Sequence, residues 1–330
     1  MKDFRIRAAA TLLVVRAVEA RGIAPAVLFR EAGVAPVSGD TQAWVSLARH
    51  FAVWRAAMSL LQDPGFPIDV GRSVTLEAFD VAGYAALSAP DLAGVADVLE
   101  RYSRIYTNAG GTLRERDTDG VWLIMPPSGP LPLAARAATE GVLAQQVQIA
   151  RLASGVQLVP LAVEFRHRAP RDLRAHETFF GVTPRFERPR ARWLVAHADL
   201  GRATVKADPA LHRVLVRHAD AALASLPKKP STALAVRHAI AGSLPSGATL
   251  ESVAKQLVIS SRTLRRRLTD EGETFRGLLD EVRHEFAARY LQEDRLSLPE
   301  VALLLGFSDD RAFRRAYKRW TGHAPRGGPA

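Results

Sequence analysis

The chain has 330 residues, a length that suits about two domains of about 150 residues each. Its 48% hydrophobic and 24% charged content is that of a folded globular protein and excludes a mostly disordered chain. The absence of cysteine excludes disulfide frameworks, thiolate zinc sites, iron–sulfur clusters and cysteine nucleophiles, while 45 Lys+Arg against 34 Asp+Glu leave a formal charge of +11 that favours phosphates or anionic lipid as partners.

At the N-terminus, Lys2, Arg5 and Arg7 precede an apolar run from Ala8 to Val15. A signal peptide would need small residues next; instead Arg16, Glu19 and Arg21 follow, and the run is far short of the ~20 residues that span a bilayer. It predicts an amphipathic helix, and the chain is expected to be cytoplasmic, without membrane contact. Residues 8–62 read as helical, with Trp44, Leu47, Phe51, Trp54 and Met58 at spacings of three and four in a segment from Ala43 to Leu61. A further helix is expected from Asp91 to Tyr106, started by Asp91 and carrying Leu92, Val95, Val98, Leu99 and Tyr102 on one face. Tyr84, Tyr102 and Tyr106 are candidates to face a ligand, with core packing the expected role of each.

Strand signals come next. Gly111–Arg116 and Val121–Met125 flank Asp117-Thr118-Asp119-Gly120, whose Asp-Gly step suits a hairpin turn. The uncharged stretch from Val121 to Ala135 contains Pro126, Pro127, Pro130 and Pro132, so it is no membrane helix. Leu133–Leu152 reads as helix, 158–166, 185–186 and 193–195 as strands, and Asp172–Phe180 as a short helix ended by Gly181. Helices on a modest, largely antiparallel sheet make an α+β first domain. A helix over Pro209–Leu226 then meets Pro227-Lys228-Lys229-Pro230-Ser231, which reads as a linker. The expected division is residues 1–226, linker 227–231, and an all-α domain over 232–330.

That last region carries a weak duplication. Val253-Ala254, Leu257, Ser260, Leu264, Arg265, Arg266 and Leu268 recur as Val301-Ala302, Leu305, Ser308, Phe313, Arg314, Arg315 and Tyr317, at offsets of 48 before the serine and 49 after it. Each copy reads as a short helix, a turn with a capping residue, and a second helix with Arg on its outer face, which is the helix-turn-helix layout. Ser297, Pro299 and Glu300 form a capping box before an apolar run, and Ser260 and Asp309 are placed to cap the two second helices. In the later one Phe313, Ala316, Tyr317 and Trp320 share one face. Arg311, Arg314, Arg315 and Lys318 repeat that series about 160° away at 100° per residue. Arg262, Arg265 and Arg266 take the outer face of the first copy. A helix fits the major groove and Arg grips guanine O6 and N7 in bidentate fashion, so two such helices in one chain suit successive grooves ~34 Å apart.

These residues resemble a known family. Ser260-Ser261-Arg262-Thr263-Leu264-Arg265-Arg266-Arg267-Leu268, Leu305-Gly306-Phe307-Ser308, and the run from Ala312 to Gly322 with Pro325 look like the DNA-binding domain of AraC/XylS-type transcription regulators. In that family a long helix joins the two units, a role that Thr274–Leu291 fits. The resemblance implies that Ser261, Arg262, Arg265 and Arg266 contact bases or nearby phosphates in one groove. Arg311, Arg314 and Arg315 would do so in the next, with Lys318 and Arg319 nearer the backbone. Upstream, Phe79–Leu87, Leu99–Tyr106, Val163–His167 and Phe179-Phe180-Gly181 look like the arabinose-binding N-terminal domain of regulators similar to the ornithine-utilisation type.

Two departures stand out. Val258 sits in the first turn where this family often has Gly, and the chain ends Pro325-Arg326-Gly327-Gly328-Pro329-Ala330 without the usual aromatic-plus-Arg ending. The first turn is therefore expected to be differently shaped and the last helix shortened.

Enzyme signatures do not complete. His176-Glu177 opens like a zinc-protease motif, but Phe180 stands where its second His belongs, and no GxGxxG, GxxxxGK[ST] or GxSxG pattern occurs. The nine histidines are dispersed and expected at the surface or capped. The expectation is a sequence-specific regulator that is not an enzyme and has no catalytic residue, metal or cofactor. Its partners would be double-stranded DNA, a small-molecule effector with unknown contact residues, RNA polymerase and a second copy of the chain. The alternative is a constitutive DNA-binding or architectural protein whose first domain only dimerises.

Overall fold

The computed structural model describes residues 4–75, 80–125, 133–226, 232–257, 259–291 and 296–325. The chain falls into two compact units, one drawn from residues 2–126 and 133–228, the other mainly from 229–330. The expected linker at 227–231, Val258 and residues 326–330 lie outside the described residues.

The first unit opens with β1 (Arg5–Arg7), α1 (Ala8–Glu19) and α2 (Pro25–Ala32), then β2 (Trp44–Ser46) and α3 (Leu47–Leu61). The helix expected from Ala43 thus starts at Leu47. Trp44, Val45 and Ser46 are drawn into an antiparallel pair with Arg7, Ile6 and Arg5, and Ser46 then caps α3 by accepting from the Arg49 N–H at 3.3 Å. Trp44 is accordingly not a helix-core residue; it lies under the Arg7 guanidinium, 4.1 Å from its ring centre. Val14, Val18, Leu28, Val53, Trp54 and Phe66 form a helical core around this corner.

After α4 (Phe66–Arg72) and α5 (Asp80–Ser88), α6 (Leu92–Tyr106) begins at Asp91, whose carboxylate accepts from the Gly94 N–H at 2.8 Å. A four-stranded antiparallel sheet follows, with β3 (Leu113–Arg116), β4 (Gly120–Met125), β5 (Ala162–Glu164) and β6 (Ala191–Ala196) in the order β3-β4-β6-β5. Its hairpin turns at Gly120, where a Cβ would stand 1.9 Å from the Val195 carbonyl oxygen, so only glycine fits. Alternation sorts the faces: Leu123, Trp193 and Val195 join the main core, while Trp122, Ile124 and Leu194 cluster on the other side. The pair expected as a strand at 185–186 makes only a single parallel bridge, Glu164 to Arg185. Of the remaining helices, α7 (Leu133–Ser154) and α9 (His197–Leu200) pack on the sheet, α8 (Arg174–Phe180) lies against α4 and α7, and α10 (Pro209–Ser225) against α5 and α6. Of the three tyrosines expected in the core, Tyr102 is buried but Tyr84 is 44% exposed.

The second unit is helical among its described residues: α11 (Thr232–Ser243), a 3-10 turn (Leu244–Ser246), α12 (Leu250–Gln256), α13 (Ser261–Asp270), α14 (Phe275–Tyr290), α15 (Leu298–Leu304) and α16 (Asp310–Thr321). Its core is one cluster in which the duplicated positions coincide: Val253 and Val301, Ala254 and Ala302, and Leu264 and Phe313 are all essentially inaccessible. Burying a side chain the size of Phe313 is worth about 2–3 kcal/mol. The long helix expected at 274–291 is α14.

Candidate nucleic-acid interface

Both helix-turn-helix units are built by local rules that fix where their helices start. Thr249 and Ser252 cap α12 reciprocally: the Ser252 N–H donates to Thr249 Oγ1 at 3.1 Å and the Thr249 N–H to Ser252 Oγ at 3.0 Å. At the matching place before α15, the Glu300 carboxylate accepts from the backbone N–H and the hydroxyl of Ser297, at 2.8 and 2.7 Å, bonds that hold it below the usual carboxylate range. Ser260 caps α13 through the Thr263 N–H at 3.1 Å, and Asp309 caps α16 through the Ala312 N–H at 2.6 Å. That bond, first among several, lowers the Asp309 pKa.

These caps orient the faces. On α13, Leu264 and Leu268 point into the core, Arg262, Arg265 and Arg266 are exposed, and Ser261 is half-buried beside the cap. On α16, Phe313 and Ala316 are buried, Tyr317 and Trp320 half-buried, and Arg311, Arg314, Arg315, Lys318 and Arg319 exposed. Arg314 pairs with Asp310 in its own helix at 3.2 Å, and Arg319 pairs with Asp280 of α14 at 3.0 Å. Among the described residues Arg262, Arg265, Arg266, Arg311 and Arg315 form no ion pair, so their guanidinium donors are open to an external anion. Helices of ten and twelve residues are about 15–18 Å long, the scale of a major-groove insert.

Some positioning residues escape a reading by periodicity. The second turn hinges on Gly306 at φ +69°, where a Cβ would meet the Leu244 carbonyl oxygen at 2.1 Å. From α14, Arg283 donates through Nε to the Leu305 carbonyl at 3.0 Å and through Nη2 to the Gly306 carbonyl at 2.8 Å. Its guanidinium covers the Phe307 ring at 4.3 Å. Buried Arg237 ties α11 to α14 through Glu281 and, at 2.8 Å, Glu285. Glu271, just past α13, accepts from the first N–H groups of α11, Thr232 at 2.5 Å and Ala233 at 2.9 Å. The one sequence signal for these contacts is the pair Glu281 and Glu285, four apart on one helix face.

The first unit holds a different kind of site. Of the histidines expected at the surface or capped, His50, His167 and His176 are buried, each beside a polar neighbour inside the fold. Trp54 Nε1 donates to His50 Nε2 at 3.1 Å, which leaves His50 Nδ1 to donate to Thr11 Oγ1 at 2.9 Å, and burial pushes this imidazole down to about 4. Glu140 of α7 lies between His167 and His176, each with Nε2 at 3.1 Å from one carboxylate oxygen. Burial opposes ionisation of Glu140, but the two histidine contacts outweigh it and hold the carboxyl below its usual range. Among the described residues no group of His, Asp and Glu is arranged to hold a metal ion. Between α6, α7 and the sheet, Leu92, Val95, Leu99, Leu123 and Trp193 line an apolar cavity of about 20 Å³, room for one water. Its polar wall, Gln146, is already bonded to Trp193 Nε1 at 2.9 Å and Thr112 Oγ1 at 2.8 Å. No described helix is long and apolar enough to cross a membrane.

An α+β unit together with a helical unit holding two capped helix-turn-helix elements defines a DNA-binding transcription regulator of the two-domain type. Residues 22–204 match the arabinose-binding N-terminal domain of AraC transcription regulators, and residues 253–327 match a helix-turn-helix domain family. The ornithine utilization regulator of Pseudomonas aeruginosa is 31% identical over 306 residues, covering 92% of this chain and 90% of that protein. The HTH-type transcriptional regulator VirS of Mycobacterium tuberculosis is 28% identical over 312 residues, covering 92% and 90%. The crystal structure of the transcriptional regulator CdpR from Pseudomonas aeruginosa aligns at 22% identity over 94% of this chain and 95% of that one, with a TM-score of 0.45. The chain belongs to the AraC-type transcription regulators with an arabinose-binding N-terminal domain. Its relatives are regulators of transcription and not enzymes.

Proposed function

We propose that this regulator answers a small-molecule effector and reads DNA with α13 and α16 in successive major grooves. Residues 1–226 would sense the effector and dimerise, 227–231 link, and 232–330 bind DNA. Ser261, Arg262, Arg265 and Arg266 serve one groove, and Arg311, Arg314 and Arg315 the next, with Lys318 beside the phosphates. The observation that carries this reading is the repeated pairing of a capped, core-anchored helix with an exposed row of arginines, of which Arg262, Arg265, Arg266, Arg311 and Arg315 form no ion pair among the described residues. Such a row supplies bidentate donors to guanine and charge to phosphate, and duplication doubles the length of DNA read.

Effector binding shifts the population of DNA-competent states through its differential affinity for them. Dimerisation and contact with RNA polymerase extend the same scheme. The ornithine utilization regulator among the relatives makes ornithine the first compound to screen.

The test is selection of duplexes from a random pool by the full chain, followed by titration of the winners. Arg315→Ala should weaken the selected duplex by about 1–3 kcal/mol while sparing unrelated DNA. Equal loss on every sequence would make Arg315 a phosphate contact. Loss of neither would sink the assignment of α16. A metabolite that raises the melting temperature of the full chain and alters its DNA affinity would identify the effector; no hit from a broad library would favour constitutive binding.

A further inference from the structure

Arg319 differs from Arg314, the other paired arginine of α16, in that its carboxylate partner lies on another helix. Its Nη2 donates to both carboxylate oxygens of Asp280 on α14, each at 3.0 Å. Next to this pair on the same face of α14 stand Arg283, which holds the turn before α16, and His284, whose ring packs 5.6 Å from Trp320 and 6.3 Å from Tyr317. Residues 280, 283 and 284 are spaced i, i+3, i+4, so one face of α14 faces α16 and its preceding turn. The repeat places Asp270 of α13 at the position of Arg319, so the first helix-turn-helix lacks the cation for an equivalent pair.

From this geometry we infer that Arg319 is a positioning residue: with Asp280 it forms a strut that sets the angle of α16 on α14, and it contributes no DNA contact of its own. Unlike Arg314, whose Nε alone meets Asp310 of its own helix, Arg319 faces both oxygens of a carboxylate on another helix, a pair that adds no net charge to the groove. The three arginines ahead of it need the helix held at a fixed angle if their forks are to meet base edges, because bidentate hydrogen bonds tolerate little misorientation. The inference rests on the reading of α16 as a recognition helix.

The decisive comparison uses the full chain, a duplex selected by the wild type and an unrelated duplex, titrated by fluorescence anisotropy at several salt concentrations. A strut predicts that Arg319→Ala and Asp280→Ala each weaken the selected duplex to the same extent, by up to about fivefold, the range of a partly exposed ion pair. Both variants should keep the wild-type slope of log affinity against log salt, and exchanging the two charges (Asp280→Arg with Arg319→Asp) should restore binding. The Asp280 variant is the sharper probe. Removing an acid from a DNA-binding surface should tighten binding on electrostatic grounds, so weakening is expected only from a strut. A salt slope reduced by about 0.9 in Arg319→Ala, on both duplexes, would make it a phosphate contact and overturn the inference. So would unchanged or tighter binding by Asp280→Ala. If the wild type binds neither duplex in a salt-dependent way, the recognition-helix reading itself falls.

Discussion

His50 shows how one buried side chain makes the first unit sensitive to acid. The indole N–H of Trp54 and the hydroxyl of Thr11 fix its neutral tautomer inside the helical core. Burial depresses its pKa to about 4. Between its ordinary value near 6.5 and that depressed value, the unfolded chain binds a proton that the folded chain refuses, so stability falls as pH drops through this window. The contribution is up to about 3 kcal/mol across the window. Glu140 acts in the same direction at lower pH: its carboxyl is held below the usual range, so the stability it adds is lost as acid protonates it. Urea unfolding of the first unit's transition should therefore show a midpoint that declines steadily from pH 7 to pH 4, and His50→Gln should flatten the upper part of that decline. Gly306 is the corresponding residue of the second unit. Its φ of +69° and the Leu244 carbonyl 2.1 Å from a hypothetical Cβ act together, so Gly306→Ala should cost at least about 2 kcal/mol by denaturant unfolding.

At the level of elements, the parts that obey local rules were legible. Asp91, Ser260 and Asp309 stand at helix starts because a side-chain oxygen one residue before a helix satisfies its free N–H groups, a requirement visible in sequence, and before α15 the Glu300 carboxylate reaches back to the Ser297 N–H. Asp309→Ala should accordingly loosen the start of α16 by about 1 kcal/mol, read as a lower melting temperature of the second unit. The Asp-Gly hairpin and the alternation of β4 and β6 were legible for the same reason. Where pairing depends on a distant partner, legibility ended: Trp44 fitted a helical spacing, yet the strand at Arg5–Arg7 claims it. The outward arginines of α13 and α16 follow from periodicity, but the α14 side chains that contact α16 and its preceding turn do not. Arg283 meets its turn 22 and 23 residues away, at no helical or strand period. Arg283→Gln loses the guanidinium cover of Phe307 and one of the two carbonyl bonds. It should weaken a selected duplex while a footprint shows the loss confined to one of two protected grooves; uniform loss across both would argue for general unfolding.

At the scale of the whole molecule, net charge is a poor guide to where DNA binds. Residues 231–330 carry a formal +4 and residues 1–230 a formal +7 out of the total of +11, so per residue the helical unit is scarcely more basic than the rest. What distinguishes it is arrangement, because counterion release depends on cations brought within reach of phosphates and base readout depends on donors held at fixed angles. Two variants of equal charge separate the two accounts. Replacing Arg265, Arg266, Arg314 and Arg315 with Ala removes four charges from the proposed groove-facing rows. Replacing Arg16, Arg30, Arg55 and Arg217 removes four from exposed positions of the first unit. If arrangement governs, the first set should abolish selective binding and flatten the salt dependence by up to about 0.9 per lost phosphate contact, while the second leaves both near the wild-type values. Parallel losses in the two sets, measured by anisotropy on the same selected duplex, would instead show that bulk charge drives association and would remove α13 and α16 from their assigned role.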